Sequence, residues 1–146
     1  MNNIQNRELI RRRVAEYYWR DDINCATATL KILAEIFAVE LHEQVIAAAV
    51  GMHGAGEYGC QCGLVEGALM FLGILGNQRQ IAEERIVAAC REFAEGFEME
   101  FGSLECRVLR PEGFHPDNPP HICEPLSCAA IGFSVDFIAT FASPSR

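Results

Sequence analysis

The stretch "IVAACREFAEGFEMEF", residues 86–101, decides the fold class. Ile86, Cys90, Phe93, Phe97 and Phe101 step by four, three, four and four, which lays one apolar stripe along a helix. The pattern extends back to about residue 78, and Gly102 with Ser103 stops it. Working outward, a helix is expected over about 62–76, ended by Gly76 and Asn77. Asn24 is a good N-cap for a helix over about 25–38. There Ala26, Leu30, Leu33 and Phe37 line one side while Ile32 and Ile36 make the other apolar, as in a central core helix. A charged first helix over about 7–19 and a short alanine-rich one over about 41–50 precede the glycine-rich run 51–59. The last helix spans about 124–141, with Pro125 in its first turn, where a missing N–H costs nothing. No stretch alternates in the manner of a strand. The expectation is all-α: a single domain over residues 1–146 with about five to six helices. A glycine-rich loop comes before the fourth helix. A proline-rich loop, 107–122, with Pro111, Pro116, Pro119 and Pro120, comes before the last.

Composition narrows the function. The formal net charge is −8, which repels phosphates, so nucleic acid is not expected as a partner. Arg11, Arg12 and Arg13 lie among Glu8 and Glu16 and read as a solvated helix face. The start, "MNNIQNRELIRRR", has no apolar core of the signal-peptide kind. Residues 62–76 and 126–142 are apolar but short of the ~20 residues of a membrane span, so no span is expected.

Seven cysteines is a high and odd count, so full internal pairing is impossible. In a reducing cytoplasm, the expected location, such a set points to redox chemistry or metal binding rather than a structural disulfide frame. Neither CxxC nor CxxCH occurs. Cys25 follows the cap Asn24, Cys62 opens a helix and Cys123 precedes one. Helix N-termini offer free N–H donors and partial positive charge, so lowered thiol pKa values are expected there. Cys106 lies just past a helix end, without that help, although Arg107 and Arg110 are near in sequence. Cys90 in the stripe and Cys128 in "SCAAIGF" read as core filler. A disulfide across Cys60-Gln61-Cys62 would close a strained ring, which leaves Cys60 as an extra ligand or a resolving thiol. His121 forms an H-x-C pair with Cys123 and is, with Cys60, a candidate accessory metal ligand. Glu66, one turn after Cys62, fits either a proton acceptor or a solvent-facing residue.

Four anchors in one order carry a family resemblance: "NCA" at 24–26, "CGLVEGALMFLG" at 62–73, "FEMEFGSLECR" at 97–107, and a late cysteine before an alanine-rich helix. The chain resembles the C_GCAxxG_C_C family, small proteins described as redox-active. The resemblance implies that the family's four cysteines fall on Cys25, Cys62, Cys106 and Cys123. Ala129 and Ala130 favour Cys123 over Cys128 as the fourth. Leucine at 64 stands where the family has alanine, which tightens the space beside Cys62. The module is also similar to the non-haem part of split-Soret cytochromes, which implies that an iron–sulfur cluster is a candidate cofactor.

Three functions follow as expectations. The first is a redox protein in which Cys25, Cys62, Cys106 and Cys123 cycle between dithiol and disulfide or hold an iron–sulfur cluster for electron transfer. A redox partner protein or a small thiol would then be the partner. The second is a metal-handling protein binding zinc or iron without redox turnover. The third is a structural module with buried cysteines. Helices apolar on all sides also fit burial in a homodimer.

Overall fold

In a computed structural model, which describes residues 2–110 and 112–144, the chain is all-α. Pro111 of the expected proline-rich loop lies outside the described residues. Helix α1 (Asn3–Ala15) begins in a reciprocal cap: the Gln5 N–H donates to Asn2 Oδ1 at 2.9 Å, and the Asn2 N–H donates to Gln5 Oε1 at 3.1 Å. That cap starts the helix four residues before the apolar pattern does. Its end widens into a π-helical turn, Glu16–Arg20, closed by the Asp21 N–H donating to Glu16 O. Helix α2 (Cys25–Phe37) is capped by Asn24, whose Oδ1 accepts from the Thr27 N–H at 2.9 Å. The Asn24 amide also donates to the carbonyls of Ala49 and Val50, tying α2 to the end of the short α3 (Glu43–Ala48).

The glycine-rich run makes one turn, α4 (Gly54–Glu57), in which Ala55 and Gly56 have positive φ. It leads into α5 (Gly63–Gln78), whose main partner is α2. The two helices touch through small residues. A Cβ on Gly67 would stand 2.7 Å from Ala26 O and 2.8 Å from Thr29 Cβ. Helix α5 runs through Gly76 instead of stopping there, because the Ile86 side chain packs on the bare Cα. Helix α6 therefore starts at Glu83 and reaches Phe101, later than the pattern suggested. Its stripe meets α8 (Glu124–Phe141) in an aromatic cluster, with the Phe93 ring 5.5 Å from Phe133 and 5.3 Å from Phe137.

Helix α7 (Cys106–Leu109) adds a helical turn where an irregular loop was expected. Helix α8 packs against α1, α2, α5 and α6. With 18 residues and mean hydropathy 1.2, it is long and apolar enough to cross a membrane, whereas the sequence run was read as too short. Core helices meet the same criterion, and α8 buries Ala130, Ile131, Val135 and Ile138 inside this bundle.

Candidate thiol site

Four segments converge around α5. Cys62 is the residue before α5, 5% exposed, and its N–H donates to Leu104 O at 2.8 Å. The Cys106 N–H donates to Cys60 O at 2.7 Å, and an isolated antiparallel bridge joins Gln61 to Glu105. These contacts hold the Cys62 segment beside the start of α7. Cys25 opens α2 with its Sγ against Gly63, where a Cβ would overlap the sulfur. The Cys106 Sγ lies against Gly54, 3.2 Å from where a Cβ would stand. Cys123 immediately precedes α8, and its carbonyl accepts from both the N–H and the hydroxyl of Ser127.

All seven cysteines are free. The thiols of Cys25, Cys62, Cys106 and Cys123 lie within one another's electrostatic reach, since each ionised sulfur opposes ionisation of others in the set. Cys60, Cys90 and Cys128 contribute no main influence on these four. Cys90 and Cys128 are half-buried at the margin of the core, Cys128 in a groove of about 810 Å³ with Arg11 and Glu124.

Helix N-termini were expected to lower the thiol pKa values, and the structure reverses the sign. Burial pushes the Cys62 thiol up to about 12, against help from the Leu64 and Val65 N–H groups. Burial also pushes Cys25 up, and Cys62, Cys106 and Cys123 add to it. Cys106 and Cys123 are raised by burial too, but the Arg110 guanidinium favours both thiolates, while Glu57 disfavours that of Cys106. The inner pair is thus the harder to ionise. The outer pair keeps contact with solvent and a nearby cation.

A pH dependence follows. An unfolded cysteine ionises near 8.5, and Cys62 in the fold does so near 12. Between those values the unfolded chain has released a proton that the fold retains. Stability is full below about pH 8.5 and falls as pH rises, by at most ~1.4 kcal/mol per pH unit for each such thiol. Urea midpoints of the fully reduced protein from pH 7 to 10 should show this fall, and Cys62→Ala should make it shallower. A flat profile would contradict the burial described for Cys62.

Two groups near the thiols had no sequence motif. Tyr18, 2% exposed, sits within reach of the Cys25, Cys123 and Cys62 thiols. Its hydroxyl is 2.6 Å from Ser127 Oγ, and since the Ser127 proton goes to the Cys123 carbonyl, the phenol donates. The 10, 14, 18 spacing showed only that Tyr18 belongs to the core face. His121 stacks on Tyr18 with ring centroids 4.8 Å apart, and its Nε2 lies 2.9 Å from Asp22 Oδ1. Exposed Trp19 meets the His121 ring edge-on and donates to Glu124. His121 therefore braces the segment that leads into Cys123. Glu66 accepts from Gln61 Nε2 at 2.6 Å. His53 Nδ1 is buried with no hydrogen-bond partner among the described residues.

Among the described residues, no three His, Cys, Asp or Glu side chains converge closely enough to hold a single metal ion. Cys60 and His121 complete no such group. The donor set of zinc is present in kind but not brought to one point.

No curated protein and no solved structure matches the chain. One family model does, over residues 23–137, a span that takes in Cys25, Cys62, Cys106 and Cys123: its description is "Putative redox-active protein (C_GCAxxG_C_C)". On that match, over most of its length, the chain belongs to the C_GCAxxG_C_C family.

Proposed function

We propose that Cys25, Cys62, Cys106 and Cys123 form a thiol–disulfide redox centre. The observation that carries this reading is the contrast between the outer and inner thiols. Cys106 and Cys123 are half-exposed and share the field of Arg110, while Cys62 is buried and Cys25 is strongly desolvated. The outer thiols face the oxidant. Burial of Cys123 is opposed by Arg110, and no neighbouring thiolate or carboxylate is a main influence on it, so it ionises first. Its thiolate attacks one sulfur of a partner disulfide and expels the other as a thiolate, which leaves a mixed disulfide. Cys106 then attacks the Cys123 sulfur and releases the partner's second thiol. Two protein thiols have become one disulfide, and the partner disulfide has become two thiols. Exchange with Cys62 and Cys25 moves the bond inward, where it is shielded. A reducing cytoplasm suits seven free thiols, and the oxidant is a redox partner protein or the disulfide of a small thiol.

An iron–sulfur cluster is the second reading, favoured by the donor set. Four cysteine thiolates are its usual ligands, and their mutual repulsion is relieved by a cationic group. Cys25, Cys62, Cys106 and Cys123 would hold it, with the Leu64 and Val65 N–H groups on the Cys62 sulfur. When bound, a cluster would supply one-electron transfer.

Purification without oxygen, followed by a visible spectrum and assays of iron, sulfide and zinc, separates the readings. The thiol reading expects no stoichiometric iron. It also expects mild oxidation to remove thiols in pairs from these four positions, mapped by mass spectrometry, with Cys90 and Cys128 still reduced. Four thiols that stay reduced and inert would overturn it. Coloured protein with matched iron and sulfide would replace it with the cluster reading.

A further inference from the structure

The geometry points to Arg107 and Arg110 as a carboxylate-binding site at the mouth of the thiol centre, which selects small disulfides that carry carboxylates. Each arginine is built in the same way. Arg107 donates its Nε–H to Gly59 O at 3.1 Å, and its guanidinium carbon lies 5.7 Å from the Tyr58 ring centroid. Arg110 donates its Nε–H to Gly113 O at 2.7 Å and lies 4.6 Å from the Phe114 ring centroid. In both, a loop carbonyl and an aromatic face hold the guanidinium. Neither has an ion-pair partner or a hydrogen bond to its Nη groups among the described residues. Two positioned forks are thus left with unspent donors, the arrangement that binds a carboxylate bidentately.

The loop is shaped to allow this. Gly59 has φ 98°, and a Cβ there would stand 3.1 Å from Arg107 Cβ and 3.5 Å from Phe114 Cε2. Only glycine lets the arginine and the aromatic ring close over the same turn. Arg107 is covalently next to Cys106, and the field of Arg110 reaches both Cys106 and Cys123. Glu57 opposes it at Cys106, but its influence there is smaller than that of Arg110. An anionic group seated on the forks brings the bond it carries to the outer thiols. The assignment rests on the thiol-exchange reading above, and the balance of the reaction is the one given there, with the small disulfide as oxidant.

Net charge makes the test sharp. A chain of charge −8 should, by its overall field, react fastest with cationic disulfides. The reduced full-length protein is mixed with dithiodiglycolate, bis(2-hydroxyethyl) disulfide or cystamine, which are similar in size and are anionic, neutral and cationic. The expected order is anionic first, by about 10-fold over cystamine at low salt, narrowing as salt is added. Arg107→Met with Arg110→Met, which keeps the apolar stems over the rings, should invert the order. Cystamine reacting fastest with the unaltered protein would overturn the assignment. A second measurement needs no disulfide chemistry: the ratio of iodoacetate to iodoacetamide labelling at Cys106 and Cys123, by peptide mass spectrometry. It should fall several-fold, about 3- to 10-fold, in the double variant. An arginine-dependent ratio with inertness to all three disulfides would leave the carboxylate site standing and overturn both the disulfide substrate and the thiol-exchange reading. A ratio indifferent to the arginines would overturn the site itself.

Discussion

Gly63→Ala is expected to destabilise the protein by about 3 kcal/mol and to displace Cys25. The added Cβ would fall on Cys25 Sγ, 3.0 Å from Ala26 N and 3.2 Å from His53 Cα. Two of those three neighbours are backbone, so a rotamer change at Cys25 does not clear the space. The start of α5 must move away from α2, and the thiol site opens with it. Gly73→Ala is the control. It lies in the same helix with nothing within 4 Å of the new Cβ. There the change removes backbone freedom from the unfolded chain and should stabilise by about 0.5–1 kcal/mol. Urea denaturation of both variants measures the contrast. Equal midpoints would show that α2 and α5 do not meet at Gly63 as described.

Phe93→Ala should cost about 3–5 kcal/mol. The Phe93 ring is fully buried and meets Phe97, Phe133 and Phe137 at centroid distances of 5.9, 5.5 and 5.3 Å. Removing it leaves a cavity between α6 and α8 that side chains on two long, anchored helices cannot collapse to fill. The same unfolding measurement reads the loss, and a change under about 1 kcal/mol would mean that α6 does not pack through this stripe.

That stripe is also where the sequence was most legible. A repeat of threes and fours over residues 86–101 has one good solution, and α6 carries it. The cysteine anchors were legible for a different reason: Cys25 beside a cap residue and Cys62 after a glycine-rich run are local patterns. What escaped depends on contacts distant in sequence. Gly76 reads as a stop until the Ile86 side chain is seen against it. Cys106 reads as lying beyond a helix, yet its N–H is held by Cys60 O and a new turn starts there. The thiol pKa values were given the wrong direction because a helix N-terminus is visible in sequence, whereas desolvation by three other segments is not. Tyr18 was one aromatic among three in "EYYWR", and only the fold brings it to Ser127.

The π-helical turn at Glu16–Arg20 bears on how the first helix tolerates change in length. Ile10 and Val14 face the core on regular α spacing, and the wider turn keeps Tyr18 on that face while Trp19 stands outside. The extra residue in the turn thus corrects the phase between the helix and the thiol site. Deleting one residue from 16–20 would give a more regular helix, yet rotate the phenol away from Ser127 and unbrace the carbonyl of Cys123. Chain length here is set by angular register, so a shortened first helix would be the better helix in isolation and the poorer support for the thiols.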